Sequence, residues 1–143
     1  MKKLICLISA ISMALAMTTA AMAKSPEVYV DGEKLTFDVE PFIENDRTLV
    51  PLRGIFEKLG AIVSWDQDTT TVFAIRDRGE AQDSIVLQID NPTAFVNSVA
   101  TTLDVPAKVV NDRTFVPLRF IGEALNADVE WNQEEFKVII TAK

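Results

Sequence analysis

Histidine is absent from this 143-residue chain, and its one cysteine, Cys6, lies within the first 23 residues. Disulfide bonds therefore cannot stabilise residues 24–143, whatever compartment the protein occupies. Imidazole and thiolate, the ligands of most transition-metal sites, are missing from the same residues. A metal ion bound there would have to be a hard cation held by oxygen atoms.

The acidic residues do not form a recognisable site for such a cation either. Asp66 and Asp68 have the spacing of the first ligands of a calcium loop, but the glycine and the distal glutamate of that loop are missing. We therefore predict no metal site and no cofactor. The chain also contains no glycine-rich phosphate loop, nucleophile elbow or Cys/His cluster.

Basic residues are outnumbered, with 14 Lys and Arg against 21 Asp and Glu, for a formal charge of −7. Loss of residues 1–23, which contain Lys2 and Lys3 and no acid, would change the charge to −9. Such a surface repels nucleic acid and anionic lipid. We expect neutral or cationic partners and no nucleic-acid binding.

Residues 1–23 have the pattern of a secretory signal peptide. Two lysines precede an apolar run from Leu4 to Met17, and Ala21-Met22-Ala23 is a small-x-small cleavage site. A retained membrane anchor is the alternative, but this run is shorter than the ~20 residues that a spanning helix needs. We predict cleavage before Lys24, a secreted or cell-envelope location without membrane attachment, and a single domain over residues 24–143.

The second half of the chain repeats the first. Aligning residues 45–65 with residues 111–131, which we call the repeat alignment, gives 14 identical positions of 21. This repeat predicts two copies of one supersecondary unit, at about residues 27–76 and 85–143. The repeated residues that we interpret as the structural motif are Asn45, Asp46, Arg47, Pro51, Arg53, Glu57 and Trp65, and then Asn111, Asp112, Arg113, Pro117, Arg119, Glu123 and Trp131.

Each copy is predicted to contain antiparallel strands packed with one short helix, which makes the fold class α+β. The Asn-Asp pair of each copy is interpreted as the tip of a tight turn, with an acid–base carboxylate as the alternative. Pro51 and Pro117 are expected at the first helical position, where no N–H is needed. Gly60 and Asn126 are expected to end the two helices.

The two predicted helices differ in their bulky residues. Leu52, Ile55, Phe56 and Leu59 fall at i, i+3, i+4 and i+7, so one face of the first helix is apolar. In the second copy a glycine replaces Phe56 and a phenylalanine replaces Gly54. We expect the helices to pack differently.

Trp65 and Trp131 are predicted to be equivalent core residues. In the second copy, Ala127, Val129 and Trp131 alternate with two acidic residues, so these three should face the interior. The first copy keeps the same Ala, Val and Trp. The prediction opposes a role for the tryptophans as exposed platforms for a ligand.

Arg53 and Arg119 are expected in the first turn of their helices, where a positive charge opposes the helix dipole. Glu57 and Glu123, four residues later, or the aspartate of each Asn-Asp pair would offset that charge. One interpretation is a partly buried ion pair that orients the helix on the sheet, and the other is a ligand-binding pair. The repetition of the arrangement favours the ion pair.

The repeated Asn-Asp-Arg-Thr-x-Val-Pro-Leu-Arg, the helix ending in Leu and the Val-x-Trp strand resemble the copper amine oxidase N-terminal-like domain, or stalk domain, of exported bacterial proteins. The resemblance covers residues 27–141. It implies a small α+β domain of secreted or cell-wall proteins, often found beside wall-anchoring or hydrolytic modules. It does not imply oxidase activity, because in the oxidases this domain is a stalk away from the copper and the quinone cofactor.

These observations predict a non-catalytic secreted or cell-envelope module that acts as a spacer or as a recognition domain for envelope protein or cell-wall polysaccharide. One alternative is a small carboxylate-dependent hydrolase of the glycosidase type. The repeated acids each adjoin an arginine, which favours the charged carboxylate over the protonated acid that such an enzyme needs. The other alternative is an inhibitor or partner subunit of another secreted enzyme.

Overall fold

The computed structural model describes residues 25–143, so the predicted signal peptide and its cleavage site lie outside the described residues. The described chain is mostly strand with two short helices, as the α+β prediction requires. The elements are β1 (Glu27–Val30), β2 (Glu33–Leu35), β3 (Phe42–Glu44), β4 (Arg47–Pro51), α1 (Leu52–Lys58), β5 (Ala61–Asp66), β6 (Thr71–Asp77), β7 (Gln82–Gln88), β8 (Thr93–Val96), β9 (Val99–Thr102), β10 (Lys108–Val110), β11 (Arg113–Pro117), α2 (Leu118–Leu125), β12 (Ala127–Asn132) and β13 (Lys137–Ala142).

The strands form three sheets, and each sheet combines strands from both halves of the chain. Their orders are β12-β13-β1-β2, β10-β11-β4-β3 and β5-β6-β7-β8-β9. All neighbours are antiparallel except β1 and β13, which run parallel with Val28 opposite Val138. The pairs formed within each half of the chain are antiparallel, as predicted, and the parallel pair joins the first strand to the last.

The repeat alignment also relates the element bounds. When it is extended along the chain, β1 to β6 and α1 coincide with β8 to β13 and α2 to within one residue at either end, whereas β7 has no counterpart. In the antiparallel pair β4–β11, Val50 lies opposite Val116, its own equivalent. The two Val-Pro-Leu-Arg segments therefore meet at the centre of one sheet, and a helix leaves from each.

Local signals in the sequence place the turns and helix ends. Asn45 and Asp46, like Asn111 and Asp112, have positive φ angles between 49° and 64°, as a two-residue hairpin turn requires. The prediction of turn tips is confirmed.

Each motif proline lies one residue earlier than predicted, at the helix N-cap. Gly60 at φ +96° follows α1, and Asn126 in the left-handed conformation caps α2.

One large core lies between the sheets and the inner faces of both helices. Helix α1 buries Leu52, Ile55 and Phe56, and α2 buries Leu118, Phe120, Ile121, Ala124 and Leu125. A smaller cluster of Leu49, Val105 and Phe115 lies on the β3-β4-β11-β10 sheet. The core thus comes from both halves.

The predicted difference between the helices is confirmed at Gly122. A Cβ atom there would lie 3.0 Å from the Ala127 carbonyl oxygen and 3.2 Å from Val129 Cγ2. Helix α2 therefore approaches β12 more closely than a side chain at this position allows. In α1 the equivalent position is Phe56, which is fully buried.

Candidate functional site

A cleft of about 800 Å³ lies beside the N-terminal end of α1. The walls come from α1, the C-terminal end of β5, the N-terminal end of β6, the segment after β2, and the β10–β11 hairpin. The lining includes two aromatic side chains, Phe37 and Trp65, and five charged residues, Asp38, Arg53, Glu57, Asp112 and Arg113. The cleft lies within the size range of small-molecule and oligomer-binding sites.

Trp65 is the largest side chain of the cleft and is 37% exposed. Its indole Nε1 donates a hydrogen bond to Gln67 Oε1 at 2.8 Å, which orients the ring. The prediction of a core tryptophan was wrong here. Alternation along β5 placed the side chain on the correct face, but burial falls from Ala61 to Val63 to Trp65 because the strand runs beyond the core.

Trp131, the equivalent residue, is half-buried and packs against the core. It makes the same local hydrogen bond, with Nε1 3.0 Å from Gln133 Oε1. Its ring also meets Phe136 edge to face, with centroids 5.2 Å apart. The two tryptophans are therefore not equivalent in their surroundings, contrary to the prediction, because Trp131 packs against the core and Phe136 whereas Trp65 lines the cleft.

The difference follows from residues that the two copies do not share. Phe136 is replaced in the first copy by Thr70, which lines the cleft. The buried Phe120 is replaced by Gly54, where a Cβ atom would lie 3.2 Å from the Phe37 ring. With Thr70 in place of Phe136, Trp65 lacks the aromatic neighbour that Trp131 has, and it lines the cleft.

Arg53 and Glu57 form an ion pair on the rim of the cleft, with Nη1 3.4 Å from Oε2. The predicted pairing is confirmed, but its predicted burial is wrong, because both side chains are at least half exposed. An exposed pair of this kind contributes little to stability. Arg119, the equivalent of Arg53, instead pairs with Asp104, with Nη1 3.5 Å from Oδ2. Among the described residues, Glu123 takes no part in an ion pair.

Arg47 and Arg113 reach across to the other copy. Arg47 Nε donates to Asp104 Oδ2 at 2.9 Å, and Arg113 Nη2 donates to Asp38 Oδ2 at the cleft. The aspartates of the turn tips contribute their backbone carbonyl oxygens rather than their carboxylates. Sequence reasoning missed Asp38 and Asp104, although the repeat alignment, extended along the chain, places these two aspartates at equivalent positions.

Comparison with known families agrees with these repeated motifs. The family model for the Copper amine oxidase N-terminal domain matches residues 29–140. The chain belongs to this family. A search of curated proteins found no match. The copper amine oxidase N-terminal domain is a non-catalytic part of those enzymes, and the resemblance inferred from the motifs is confirmed.

The side chains of this copper amine oxidase N-terminal domain do not fit a copper ion. Residues 25–143 contain neither histidine nor cysteine, and no three of their aspartates and glutamates are grouped so that they could hold a metal. Imidazole and thiolate are the ligands that copper selects in proteins.

Within residues 25–143, neither helix has the length and apolarity needed to cross a membrane.

Proposed function

We propose that this copper amine oxidase N-terminal domain is a non-catalytic module of an exported or cell-envelope protein, and that it recognises a neutral envelope polysaccharide in the cleft beside Trp65. The observation that carries the proposal is that Trp65 is 37% exposed in the cleft, where its equivalent Trp131 has the Phe136 ring packed against it. A solvent-exposed indole costs free energy, so its retention in a concave site favours a ligand.

The chemistry of the cleft favours a sugar over a protein partner. Aromatic rings such as Trp65 and Phe37 pack against the apolar face of a sugar ring, while Gln67 and the ion pair of Arg53 and Glu57 offer hydrogen bonds to hydroxyl groups. Protein partners more often use broad surfaces of ~800 Å² on each side. A neutral chain would not be repelled by the acidic domain.

The decisive variant is Thr70→Phe, which reproduces the covered arrangement of the second copy. Thr70 and Phe136 have similar φ angles, 49° and 54°, so the chain already holds a phenylalanine at this φ in the equivalent turn. We expect Thr70→Phe and Trp65→Ala to abolish retention on polysaccharide from the envelope of the host cell. The matched variants Phe136→Thr and Trp131→Ala should retain binding if they fold.

Other outcomes would separate the alternatives. Wild-type protein that no polysaccharide fraction retains would contradict recognition and favour a spacer role. Retention of an envelope protein that Thr70→Phe abolishes would assign the cleft to a protein ligand. Release of soluble sugar from the polysaccharide by the purified protein would favour the hydrolase alternative.

We also propose that the fold consists of two copies of one unit that fold only together. The matching element bounds and the pairing of Val50 with Val116 support this, as do the partners of Arg47 and Arg113 in the opposite copy. Residues 25–81 and 82–143 produced separately should lack a cooperative thermal transition and regain it when mixed. A half that folds alone would contradict the proposal.

A further inference from the structure

The outer face of the five-stranded sheet carries a continuous patch of exposed apolar side chains. We call this patch the outer apolar face and define it as Ile62, Phe73, Ile75, Val86 and Phe95. Val86 is half-buried, and the other four are between 41% and 77% exposed. Pairing in the sheet makes them neighbours, since Ile62 lies opposite Ile75 and Val86 lies between Phe73 and Phe95.

The same fold does not require such a face, because the β12-β13-β1-β2 sheet has charged residues at equivalent positions. Under the repeat alignment, extended along the chain, the three replacements are Ile62 by Asp128, Ser64 by Glu130, and Ala100 by Lys34. Ser64 and Ala100 lie at the two ends of the row that contains Phe73, Val86 and Phe95. In the other sheet, Glu130 and Lys34 end the row that contains Ile139 and Tyr29.

A charged side chain also lies over Tyr29, one of the two inner residues of that second row. Lys137 Nζ lies 4.9 Å from the centroid of the Tyr29 ring, and Lys34 lies 3.3 Å from Glu27. Charged side chains on the face of a sheet disfavour contact with a second copy, because contact would remove them from water and bring like charges together. One sheet therefore has this protection and the other lacks it, although the two have equivalent strands apart from the additional β7.

We propose that the outer apolar face is the contact surface between two copies of this chain. Residues 24–143 have a formal charge of −9, so two copies repel each other over most of their surface. The outer apolar face has no charged member, so it is where two copies can meet without placing like charges together. A partner selected by charge would find no group of opposite sign on this face.

The size of the face fits a weak dimer. Five strands of four to seven residues, spaced ~4.8 Å apart, give a face of roughly 20 by 20 Å. Two such sheets packed face to face would remove roughly 1,000 Å² of surface in total, near the lower limit for a specific interface. We expect a dissociation constant in the range of tens of micromolar, on the order of −6 kcal/mol.

Sedimentation velocity of the purified protein between ~1 and ~500 μM should show conversion from monomer to dimer. Ser64→Glu introduces the glutamate that the other sheet has at the equivalent position, Glu130. A symmetric interface would contain this glutamate twice, once from each copy. We expect at least a tenfold increase in the dissociation constant. The matched variant Glu130→Ser, at the equivalent position of the other sheet, should leave it unchanged.

Salt provides a second measurement. Raising ionic strength from ~50 to ~500 mM should tighten the dimer, because salt screens the repulsion between acidic copies and leaves apolar contact intact. Ser64 is exposed on β5, and an unchanged melting temperature would verify that the Ser64→Glu variant is folded. A wild-type protein that stays monomeric throughout, or a dimer that Glu130→Ser weakens as much as Ser64→Glu does, would overturn the proposal.

Discussion

Arg76 donates hydrogen bonds from both Nε and Nη2 to the same carboxylate oxygen of Asp83, at 3.1 and 2.9 Å. Both side chains are less than a tenth exposed. Arg76 Nη2 also donates to the carbonyl oxygen of Leu125 at 2.7 Å, and Arg78 adds bonds to both oxygens of Asp83. This buried pair links the β6–β7 hairpin to the C-terminal end of α2.

Removal of the carboxylate should therefore be strongly destabilising. Asp83→Ala leaves the buried guanidinium of Arg76 without its counter-charge, and we expect the free energy of unfolding to fall by about 3–5 kcal/mol. The matched variant Glu57→Ala breaks the exposed pair with Arg53 and should cost less than about 1 kcal/mol. Urea unfolding of both variants measures the difference. Equal costs would contradict the structural role of Asp83.

Acid should destabilise the fold through the same residue. Burial raises the pKa of Asp83, but the hydrogen bonds from Arg76 and Arg78 outweigh it and hold the pKa below its ordinary value of 3.8. The carboxylate then stabilises the fold at pH values above 3.8, and this stabilisation is lost as the pH falls through the lower folded-state pKa.

Unfolding free energies measured between neutral and acid pH test this sign. The wild-type protein should lose stability more steeply below about pH 4 than Asp83→Asn does, because the asparagine has no proton to bind. Asp83→Asn keeps the size and one acceptor of the side chain, so it disturbs the packing less than Asp83→Ala does. Parallel acid profiles for the two proteins would show that another group dominates.

The two tryptophans should differ in their contribution to stability. Truncation of a fully buried tryptophan costs about 3–5 kcal/mol, and Trp131 is half-buried against the core and Phe136. We expect Trp131→Ala to cost about 3 kcal/mol and Trp65→Ala about 1 kcal/mol. Thermal unfolding by calorimetry measures both. A larger loss at Trp65 would contradict its open position in the cleft.

The two helical glycines should respond in opposite directions to alanine. Gly122→Ala would place Cβ 3.0 Å from a backbone oxygen that cannot move aside, so we expect a loss of about 1–3 kcal/mol. Gly54→Ala meets only the Phe37 ring, which is half-buried and can shift. There the gain in helix propensity, at most about 1 kcal/mol, should prevail. Equilibrium unfolding of the two variants compares them directly.

Copper should bind the protein only weakly, despite the family to which it belongs. Because residues 25–143 lack histidine and cysteine, the charged ligands left for a metal ion are the carboxylates of aspartate and glutamate. Carboxylates select copper poorly against other cations. Titration with Cu(II) by calorimetry should show weak association without defined stoichiometry, and peroxide release from primary amines should stay at background. A stoichiometric site of submicromolar affinity would require the acidic residues to be reinterpreted as ligands.

Short-range features of the structure follow from the sequence alone. The Asn-Asp turn tips, the Gly60 and Asn126 helix ends and the unequal packing at Gly122 all depend on neighbouring residues and backbone conformation. Each is determined within about one turn of helix or one hairpin. The repeat alignment likewise predicted which segments would form the same kind of element, because equal sequences have equal local preferences.

Tertiary structure decided which strands are neighbours and which side chains meet. Alternation assigns the faces of a strand but not its partner, so the parallel pairing of β1 with β13 was not predictable from pattern. The partners of Arg47 and Arg113, and the burial of Arg76 with Asp83, depend on contacts between distant segments. Trp65 was misassigned for the same reason: alternation gives direction, while exposure depends on what the rest of the chain places over the side chain.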